Sequence, residues 1–399
     1  MLLRLTNEVL LKEIEKVGAD PASFGIFLEK SEIIPLKFFD LPSPGANIVK
    51  QEMLSLGGDA VVHKNVVNCK VERSDIILLG TRKHYKMLVE KLKQMNYFEL
   101  DTLRKELKRF LSDDGKRSIL LKDGKTLSFD RTFIMGIINV TPDSFYRESR
   151  KMRIDEILKT AEKMLEDGTD ILDIGGMSTR PGSDPVEVEE ELKRVVPAIK
   201  ALKENFPDSL ISVDTYRWKV AKEAIDAGAD IVNDISAMRF DENMGKLVAD
   251  TGVPIVLMHI KGTPKTMQEN PHYEDVVKEI SEYFEERINY ALSQGISEKR
   301  IILDPGIGFG KRLEDNLEIL RRIEEFKSLG FPLLIGASRK SFIGHTLDGA
   351  PPEDRLEGTL AVTAWCCMRG VDIIRVHDVK ENKRVLKMIE KLKKSLDLS

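Results

Sequence analysis

Polar groups that could bind a ligand recur in this chain at one kind of position, the end of a short apolar run. Asp214, Asn233 and Asp304 lie at the ends of three such runs. A buried carboxylate is costly unless it is hydrogen-bonded, and an amide can both donate and accept. These groups therefore predict a site for a heterocycle that presents paired N–H donors beside acceptors. The alternative is that each carboxylate is structural and holds a loop.

Cationic residues stand at or just beyond the ends of other apolar runs. They are Arg180, Lys311, Arg339, Lys340, Arg375 and His377. Arginine binds phosphate through a planar fork of N–H donors, and lysine binds it as a point charge. Cations at the ends of four different runs predict a phosphorylated substrate, whereas a single one would more simply pair with a nearby carboxylate.

One glycine-rich stretch and one histidine carry weaker signals. Residues 306–311 alternate glycine with apolar residues before a lysine, but their spacing matches neither the dinucleotide fingerprint nor the P-loop. We expect a flexible loop there. His259 ends another apolar run and has no second histidine or cysteine nearby, which argues against a transition-metal site. A ligand contact and a supporting polar role are both compatible with its position.

These residues need a scaffold that brings the ends of the runs together. Eight apolar runs, beginning near residues 135, 171, 211, 231, 255, 301, 333 and 373, alternate with amphipathic helical segments. Such alternation predicts parallel strands joined by crossover helices. Eight units predict a (β/α)8 TIM barrel of roughly 250 residues, with its active site at the carboxyl ends of the strands. The alternative is a doubly wound open sheet, which also carries ligands at strand ends.

The barrel is predicted to occupy residues 132–399, after a turn-rich connection at 116–131 that has room for a short hairpin. Residues 1–115 are predicted to form a separate small α/β domain. Its expected strands are 24–28, 33–39, 60–63 and 75–80, and its expected helices are 46–56, 82–95 and 99–111. An accessory or oligomerisation role is favoured over a second small-molecule site, because His63 and His84 lack the spacing of metal ligands.

Composition restricts the class of protein. The chain has 399 residues, of which 42% are hydrophobic and 32% charged, and its net charge is −4. That balance argues against nucleic acid as a partner, and no apolar run reaches the ~18 residues of a membrane span. Three cysteines without a CxxC pattern argue against a disulfide framework, and the first residues do not resemble a secretion signal. We expect a cytoplasmic enzyme.

Seven short motifs resemble those of the dihydropteroate synthases, a family of folate-pathway enzymes. They occupy residues 139–145, 173–176 with 178–182, 212–215, 233–235, 304–311, 338–341 and 375–377. Each motif is short, but their order along the chain and their positions at successive strand ends are specific. The resemblance covers about two-thirds of the chain, from residue 133 onward, and leaves the N-terminal domain as an addition to the family's barrel.

The resemblance implies a reaction. Members of the family condense 6-hydroxymethyl-7,8-dihydropterin diphosphate with p-aminobenzoate, which gives 7,8-dihydropteroate and pyrophosphate. The resemblance also implies Mg2+ as a cofactor, a homodimer, and inhibition by sulfonamides. Because the amine is a weak nucleophile, catalysis should depend on positioning and on stabilisation of the departing diphosphate.

Carried over position by position, the resemblance implies three subsites. The pterin would be held by Asp214, Asn233, Asp304, Lys340 and Arg375. The pyrophosphate would be held by Asn139, Arg375 and His377, with Mg2+ at Asn139. The aminobenzoate would be held by Phe145, Thr179, Arg180, Pro181, Phe309 and Ser341.

Two positions depart from the family's pattern. Met177 stands where a glutamate is usual, and Arg147 replaces an acidic residue of the first loop. Both departures bear on loop closure and on the arylamine side of the site rather than on the pterin.

Two other functions are compatible with parts of this pattern. A methyltetrahydrofolate–corrinoid methyltransferase would share the pterin-binding Asp and Asn but would not need the motifs at 178–182 and 338–341. A pterin-binding protein without activity would not need the pyrophosphate-binding residues Asn139, Arg375 and His377. The presence of both groups of residues favours the synthase.

Overall fold

A computed structural model describes residues 2, 5, 7–113, 115–140, 147–177 and 186–394, without the side chains of residues 7, 8, 147–153 and 394. The chain divides into two compact units, residues 1–115 with 392–399, and residues 116–391. Within the described ranges, no helix combines the length and the apolar character needed to cross a membrane.

The first unit is a three-stranded antiparallel sheet with helices packed on it. Its strands are β1 (Ile34–Pro42), β2 (Asp59–Val62) and β3 (Arg73–Gly80), in the order β1-β3-β2. Its helices are α1 (Asn7–Val17), α2 (Phe24–Leu28), α3 (Ser43–Leu56), α4 (Arg82–Lys91) and α5 (Leu100–Ser112). Alternate residues of β3 are buried, as expected for a strand covered on one face. Ile76 and Leu78 pack there with Val49 of α3 and Leu88 of α4.

One predicted strand of this unit is wrong. The apolar residues of α2 suggested a strand, but they form a helix because the turn before them starts one. Asp20 accepts the backbone N–H of Ala22 at 2.9 Å, and Pro21 has the fixed φ that suits a first helical position. The 3-10 turn that begins at Pro21 runs directly into α2. Local capping therefore determines that this segment is a helix, which its apolar content alone does not predict.

The second unit is an eight-stranded parallel barrel preceded by a hairpin. The hairpin is β4 (Ser118–Leu120) and β5 (Thr126–Ser128). The barrel strands are β6 (Phe133–Asn139), β7 (Ile171–Gly175), β8 (Leu210–Asp214), β9 (Ile231–Asp234), β10 (Ile255–Met258), β11 (Ile301–Asp304), β12 (Leu334–Ile335) and β13 (Ile373–Val376). The sheet order is β11-β10-β9-β8-β7-β6-β13-β12, and a parallel bridge between Leu303 and Leu333 closes it. The predicted (β/α)8 barrel is confirmed.

Helices follow the barrel strands. They are α6 (Arg147–Glu166), α7 (Val188–Asn205), α8 (Trp218–Asp226), α9 (Asn243–Thr251), α10 (Val276–Ser293), α11 (Leu313–Arg321), α12 (Ile323–Lys327), α13 (Ser341–Thr346), α14 (Leu356–Met368) and α15 (Val379–Lys394). Helices outside and side chains inside cover both faces of the sheet, so its strands are continuous apolar runs. All four residues of β10 are buried, for example.

The hairpin closes the amino end of the barrel. Ile119, Leu121 and Phe129 are buried in one cluster with residues of the barrel interior, among them Val256 and Ile302. Sequence reasoning made residues 116–131 a connection with room for a short hairpin, and it gave them no share of the barrel core. The structure groups them with the barrel and gives them a share of its core.

Removal of residues 1–115 is expected to leave a folded barrel that still binds pterin, because the barrel core and the hairpin are retained. Removal of residues 1–131 should be much less tolerated, since each lost apolar side chain stabilises by about 1.5–3 kcal/mol. We expect its melting temperature to be at least about 10 °C lower than that of the first truncation. An insoluble first truncation, or two truncations of equal stability in thermal unfolding, would contradict this division of the chain.

Candidate active site

Four strand ends line up across the carboxyl end of the barrel. Asn139 pairs in register with Gly175, Gly175 with Asp214, and Asp214 with Asn233, so these residues form one row across β6, β7, β8 and β9. Gly175 contributes no side chain between Asn139 and Asp214. The barrel therefore brings together an amide, a carboxylate and a second amide that are up to 94 positions apart in the sequence. These three residues were predicted to contact a ligand.

Arg375 is the centre of the polar network at this end of the barrel. Its Nε lies 2.7 Å from Oδ2 of Asp173, and its Nη2 lies 2.7 Å from Oδ2 of Asp214. The same oxygen of Asp173 accepts from Asn233 Nδ2 at 3.3 Å. Burial opposes the charge on Arg375, but Asp173 and Asp214 outweigh it and raise the pKa of the guanidinium. One cation thus stabilises two buried carboxylates.

Asp173 is a member of this network that sequence reasoning did not select. Its side chain is fully buried, and its Oδ1 has no hydrogen-bond partner among the described residues. A signal was present, because a charged residue in the middle of the apolar strand β7 points to a buried polar function. Its partner Arg375 is 202 positions away, so the sequence alone could not supply the pairing.

Burial changes the ionisation of Asp214 and Asp304, the two carboxylates that were predicted to contact a ligand. It raises the pKa of Asp214 to about 7, against the lowering effect of Arg375. It also raises the pKa of Asp304, against the lowering effect of Lys340 and of the Gly306 N–H, which Asp304 Oδ1 accepts at 2.7 Å. One oxygen of each carboxylate is therefore occupied within the part of the chain that the structure describes, and a ligand could use the other.

Lys340 follows β12 and lies near the carboxylate of Asp304. Burial lowers its pKa to about 7, and the nearby carboxylate of Asp304 opposes that change. Its Nζ donates to the carbonyl of Ile307 and lies 4.4 Å from the centre of the Phe309 ring. Lys340 and Phe309, predicted for different subsites, are therefore neighbours.

Two of the predicted anion-binding cations are engaged inside the protein. Lys311 is buried, and its Nζ lies 2.9 Å from Nδ1 of His259 and 3.0 Å from the carbonyl oxygen of Phe309. Arg339 forms a two-pronged ion pair with Asp378, with both distances 2.8 Å. Protein partners therefore hold both cations, because position at a strand end does not fix the direction of a long side chain, and their contact with a phosphate stays a prediction.

His377, Ser341 and Asn139 occupy the rim of the site. His377 Nδ1 lies 3.0 Å from Oγ of Ser338, which holds the ring. Ser341 is exposed at the start of α13, and Asn139 is exposed at the end of β6. Phe145, Thr179, Arg180 and Pro181, which were predicted for the aminobenzoate subsite, lie outside the described residues.

An apolar cluster adjoins the polar network at the carboxyl end of the barrel. Ile235, Met258, Ile260 and Met267 are buried in it, with Tyr216, Phe240 and Phe309 packed against them. Met177 is also buried, and its sulfur lies 3.9 Å from the hydroxyl of Tyr216. An apolar wall beside a few convergent polar groups is the usual composition of a small-molecule site.

The residues present fit a loosely held magnesium ion better than a closed metal site. Among the described residues, no three His, Cys, Asp or Glu side chains are arranged to hold a metal. Asn139 offers an exposed amide oxygen. Magnesium prefers oxygen ligands and is often bound by one or two protein oxygens together with water and the phosphates of a substrate. Asn139 suits that kind of binding.

Comparison with known proteins agrees with the geometry. Residues 135–377 match the family model described as pterin binding enzyme. Dihydropteroate synthase of Synechocystis sp. is 45% identical over 272 residues, which cover 67% of this chain and 93% of that protein. The crystal structure of Yersinia pestis dihydropteroate synthase with a sulfonamide drug complex has a TM-score of 0.64 at 41% identity, covering 68% of this chain and 98% of that one.

One similar protein extends beyond the barrel. The probable bifunctional folylpolyglutamate synthase/dihydropteroate synthase of Haloferax volcanii is 38% identical over 84% of this chain and 41% of its own length. The barrel and hairpin, residues 116–391, make up about 69% of the chain, so this alignment also includes part of the N-terminal unit. Part of that unit is therefore similar in sequence to a protein of different overall organisation.

Proposed function

The chain belongs to the dihydropteroate synthase family of pterin-binding enzymes, and we propose that it binds its pterin through the network around Arg375. It condenses 6-hydroxymethyl-7,8-dihydropterin diphosphate with p-aminobenzoate, giving 7,8-dihydropteroate and pyrophosphate, and it is a sulfonamide target. The observation that carries the assignment of the site is the convergence of Asp214, Asn233 and Asp304 around one guanidinium.

The pterin subsite consists of Asp214, Asn233, Asp304, Lys340 and Arg375. The aminopyrimidinone edge of a pterin presents adjacent N–H donors, which a carboxylate accepts well. Asp214 and Asp304 each have one oxygen that the described residues leave available, and Asn233 can donate to a ring acceptor. Lys340 supplies a donor above the apolar face of Phe309. These contacts would hold the ring flat across the strand ends.

The diphosphate subsite consists of Arg375, His377 and Asn139. Arginine has five N–H donors, and two of those of Arg375 reach Asp173 and Asp214. The remaining donors suit phosphate oxygens. Asn139 would hold Mg2+, which neutralises charge on the diphosphate when it is bound. Donors fixed before the reaction stabilise developing negative charge at little reorganisation cost.

In the reaction, the bond between the pterin methylene carbon and the diphosphate oxygen breaks, and a bond from the arylamine nitrogen to that carbon forms. Charge on the carbon spreads into the pterin ring, and the amine releases one proton. Arg375 and His377 stabilise the leaving pyrophosphate, and the carboxylates Asp214 and Asp304 hold the ring in place. Positioning of two bound substrates can supply a large part of the rate.

The arylamine subsite consists of Phe309 and Ser341 together with Phe145, Thr179, Arg180 and Pro181. Phe309 supports this assignment by its place between the apolar cluster and Lys340. Ser341 supports it as an exposed hydroxyl at the rim. Met177 packs beside Tyr216 in this region, so an apolar contact takes the place of the glutamate that is usual in the family.

The assembly and the cellular compartment complete the proposal. The enzyme is a homodimer in the cytoplasm. The outer face of α14 supports a dimer, because it carries the apolar residues Ala361, Trp365 and Met368, of which the last is 64% exposed. Cys69, Cys366 and Cys367 form no disulfide bond, which suits a reducing compartment. The N-terminal unit has an accessory role.

The enzyme is expected to release pyrophosphate only when pterin diphosphate, Mg2+ and p-aminobenzoate are all present. The reason is that the site holds groups for both substrates, and pyrophosphate leaves as the arylamine nitrogen bonds to the pterin methylene carbon. A coupled pyrophosphate assay, with arylamine omitted as the control, tests this expectation. Folded enzyme that releases no pyrophosphate on addition of the arylamine would contradict the assignment.

A further inference from the structure

The turn after β11, residues 306–310, lies directly on the backbone that follows β10. Gly306 and Gly310 have left-handed backbone, with φ of 67° and 65°. A Cβ at Gly306 would come within 2.0 Å of the carbonyl oxygen of His259, and one at Gly310 within 2.6 Å of that of Lys261. The expected flexible loop is therefore a closely packed turn.

Lys311 holds the carboxyl end of this turn from inside the barrel. Its side chain is buried, and its Nζ lies within hydrogen-bond distance of Nδ1 of His259, the carbonyl of His259 and the carbonyl of Phe309, at 2.9, 3.4 and 3.0 Å. Burial lowers the pKa of Lys311 well below its ordinary value, yet these acceptors hold its amino group in place. Burial lowers the pKa of His259 well below its ordinary value, and the neighbouring Lys311 acts in the same direction. The ring of His259 is therefore neutral and can accept.

Gln268 holds the middle of the turn from outside. Its side chain is exposed, and its Nε2 donates to the carbonyl of Gly308 at 3.0 Å. The preceding residue, Met267, is buried in the apolar cluster against which Phe309 packs. The segment after β10 therefore covers the turn and bonds to it.

Two groups of the active site depend on the position of this turn. The carbonyl of Ile307 accepts from Lys340, and the ring of Phe309 lies 4.4 Å from the same Nζ. A shift of the turn would move the Phe309 ring and remove a partner of Lys340. Neither Gln268 nor Lys311 belongs to the substrate contacts assigned above.

We propose that Gln268 and Lys311 are positioning residues that set the arylamine side of the site by fixing the turn at 306–310. This inference rests on the proposed function of Phe309 and Lys340. Gln268 acts from the surface on Gly308, and Lys311 acts from the interior on Phe309. Asp214, Asn233 and Arg375 hold the pterin from β8, β9 and β13, away from this turn, so the larger effect should fall on the arylamine.

The test compares Gln268→Ala with Glu269→Ala, an exposed neighbour in the same segment, and with Lys311→Met. Loss of one neutral hydrogen bond predicts that Gln268→Ala raises KM for p-aminobenzoate by about two- to tenfold, with KM for the pterin diphosphate changed less than about twofold. Lys311→Met should lower kcat/KM for the arylamine by about ten- to hundredfold, since it removes the hydrogen bonds to His259 and Phe309 together. Glu269→Ala should match the wild type.

A second measurement separates this inference from the proposed function. Hydrogen exchange of peptides covering residues 306–311, measured by mass spectrometry without substrates, should be faster in Gln268→Ala than in Glu269→Ala. A wild type that fails to release pyrophosphate would count against the proposed function, and exchange would still test the contact. Unchanged exchange in Gln268→Ala overturns the positioning role. Faster exchange with an unchanged KM for the arylamine also overturns it, even if Lys311→Met does not fold.

Discussion

Replacement of Arg375 by methionine is expected to destabilise the barrel by about 3–5 kcal/mol, because it leaves the buried carboxylates of Asp173 and Asp214 without their cation. Methionine keeps most of the length and apolar contact of the side chain, so the loss is mainly electrostatic. The same change removes a donor proposed to stabilise the leaving pyrophosphate. We therefore expect kcat to fall by about 100- to 1,000-fold in whatever enzyme remains folded. Chemical unfolding and the pyrophosphate assay measure the two effects.

The destabilisation by Arg375→Met should depend on pH. Burial already raises the pKa of Asp214 to about 7 with Arg375 present, and without it the pKa rises further. The folded pKa is then far above the unfolded value of about 3.9, so stability is lost as pH rises toward the folded pKa. The variant should be closest to the wild type near pH 5 and most destabilised above pH 7.

Arg339→Met provides the matched control. That arginine also forms a bidentate ion pair, with Asp378, but its side chain is 25% exposed and its partner 20% exposed. Solvent screens such a pair, so we expect a smaller loss of stability and a smaller dependence on pH.

The double variant Arg375→Met with Asp214→Asn should recover part of the stability that Arg375→Met loses, since the uncompensated negative charge of Asp214 is then removed. Equal losses in the two arginine variants, at all pH values, would contradict the central role of Arg375.

The barrel was predictable because its strands are buried on both faces and are therefore continuous apolar runs. The predicted starts of those runs agree with the observed strands, and the ends of β8, β9 and β11 carry the polar residues that define the site. Segment 24–28 has the same apolar character but forms a helix, because Asp20 and Pro21 start one. The length and composition of an apolar run alone do not distinguish a buried strand from such a short helix.

The partners of the site residues were not predictable. Lys311, Arg339 and Lys340 follow strands in similar ways, yet Lys311 contacts His259, Arg339 pairs with Asp378, and Lys340 lies over Phe309. Their directions depend on His259 and Asp378, which are 52 and 39 positions away. A sequence pattern places a residue at a strand end, whereas contacts made by distant segments decide what its side chain does there.

Replacement of Asp214 by asparagine is expected to weaken pterin binding by about 10- to 150-fold, which corresponds to about 1.5–3 kcal/mol for a hydrogen bond to a charged group. Asparagine has nearly the same shape, but it presents an N–H where the pterin edge needs an acceptor. Folding should suffer less than binding, because the wild-type carboxylate is itself disfavoured by burial. Calorimetric titration with a pterin and thermal unfolding separate the two effects.

Asp234→Asn, one strand away, is the control for folding. Asp234 accepts the backbone N–H groups of Ser236 and Met238 at 2.8 and 2.7 Å, so its loss should lower stability while pterin affinity of the folded protein is kept.

The dependence of pterin affinity on pH provides a second test of Asp214. Since the pKa of Asp214 is about 7, wild-type affinity for the pterin should fall as pH drops below 7, by up to about tenfold per unit as the acceptor is protonated. The Asp214→Asn variant has no such carboxylate, so its affinity should vary much less over the same range. Equal pterin affinity of wild type and Asp214→Asn at pH 8, where the carboxylate is mostly ionised, would contradict the assignment of Asp214 to the pterin.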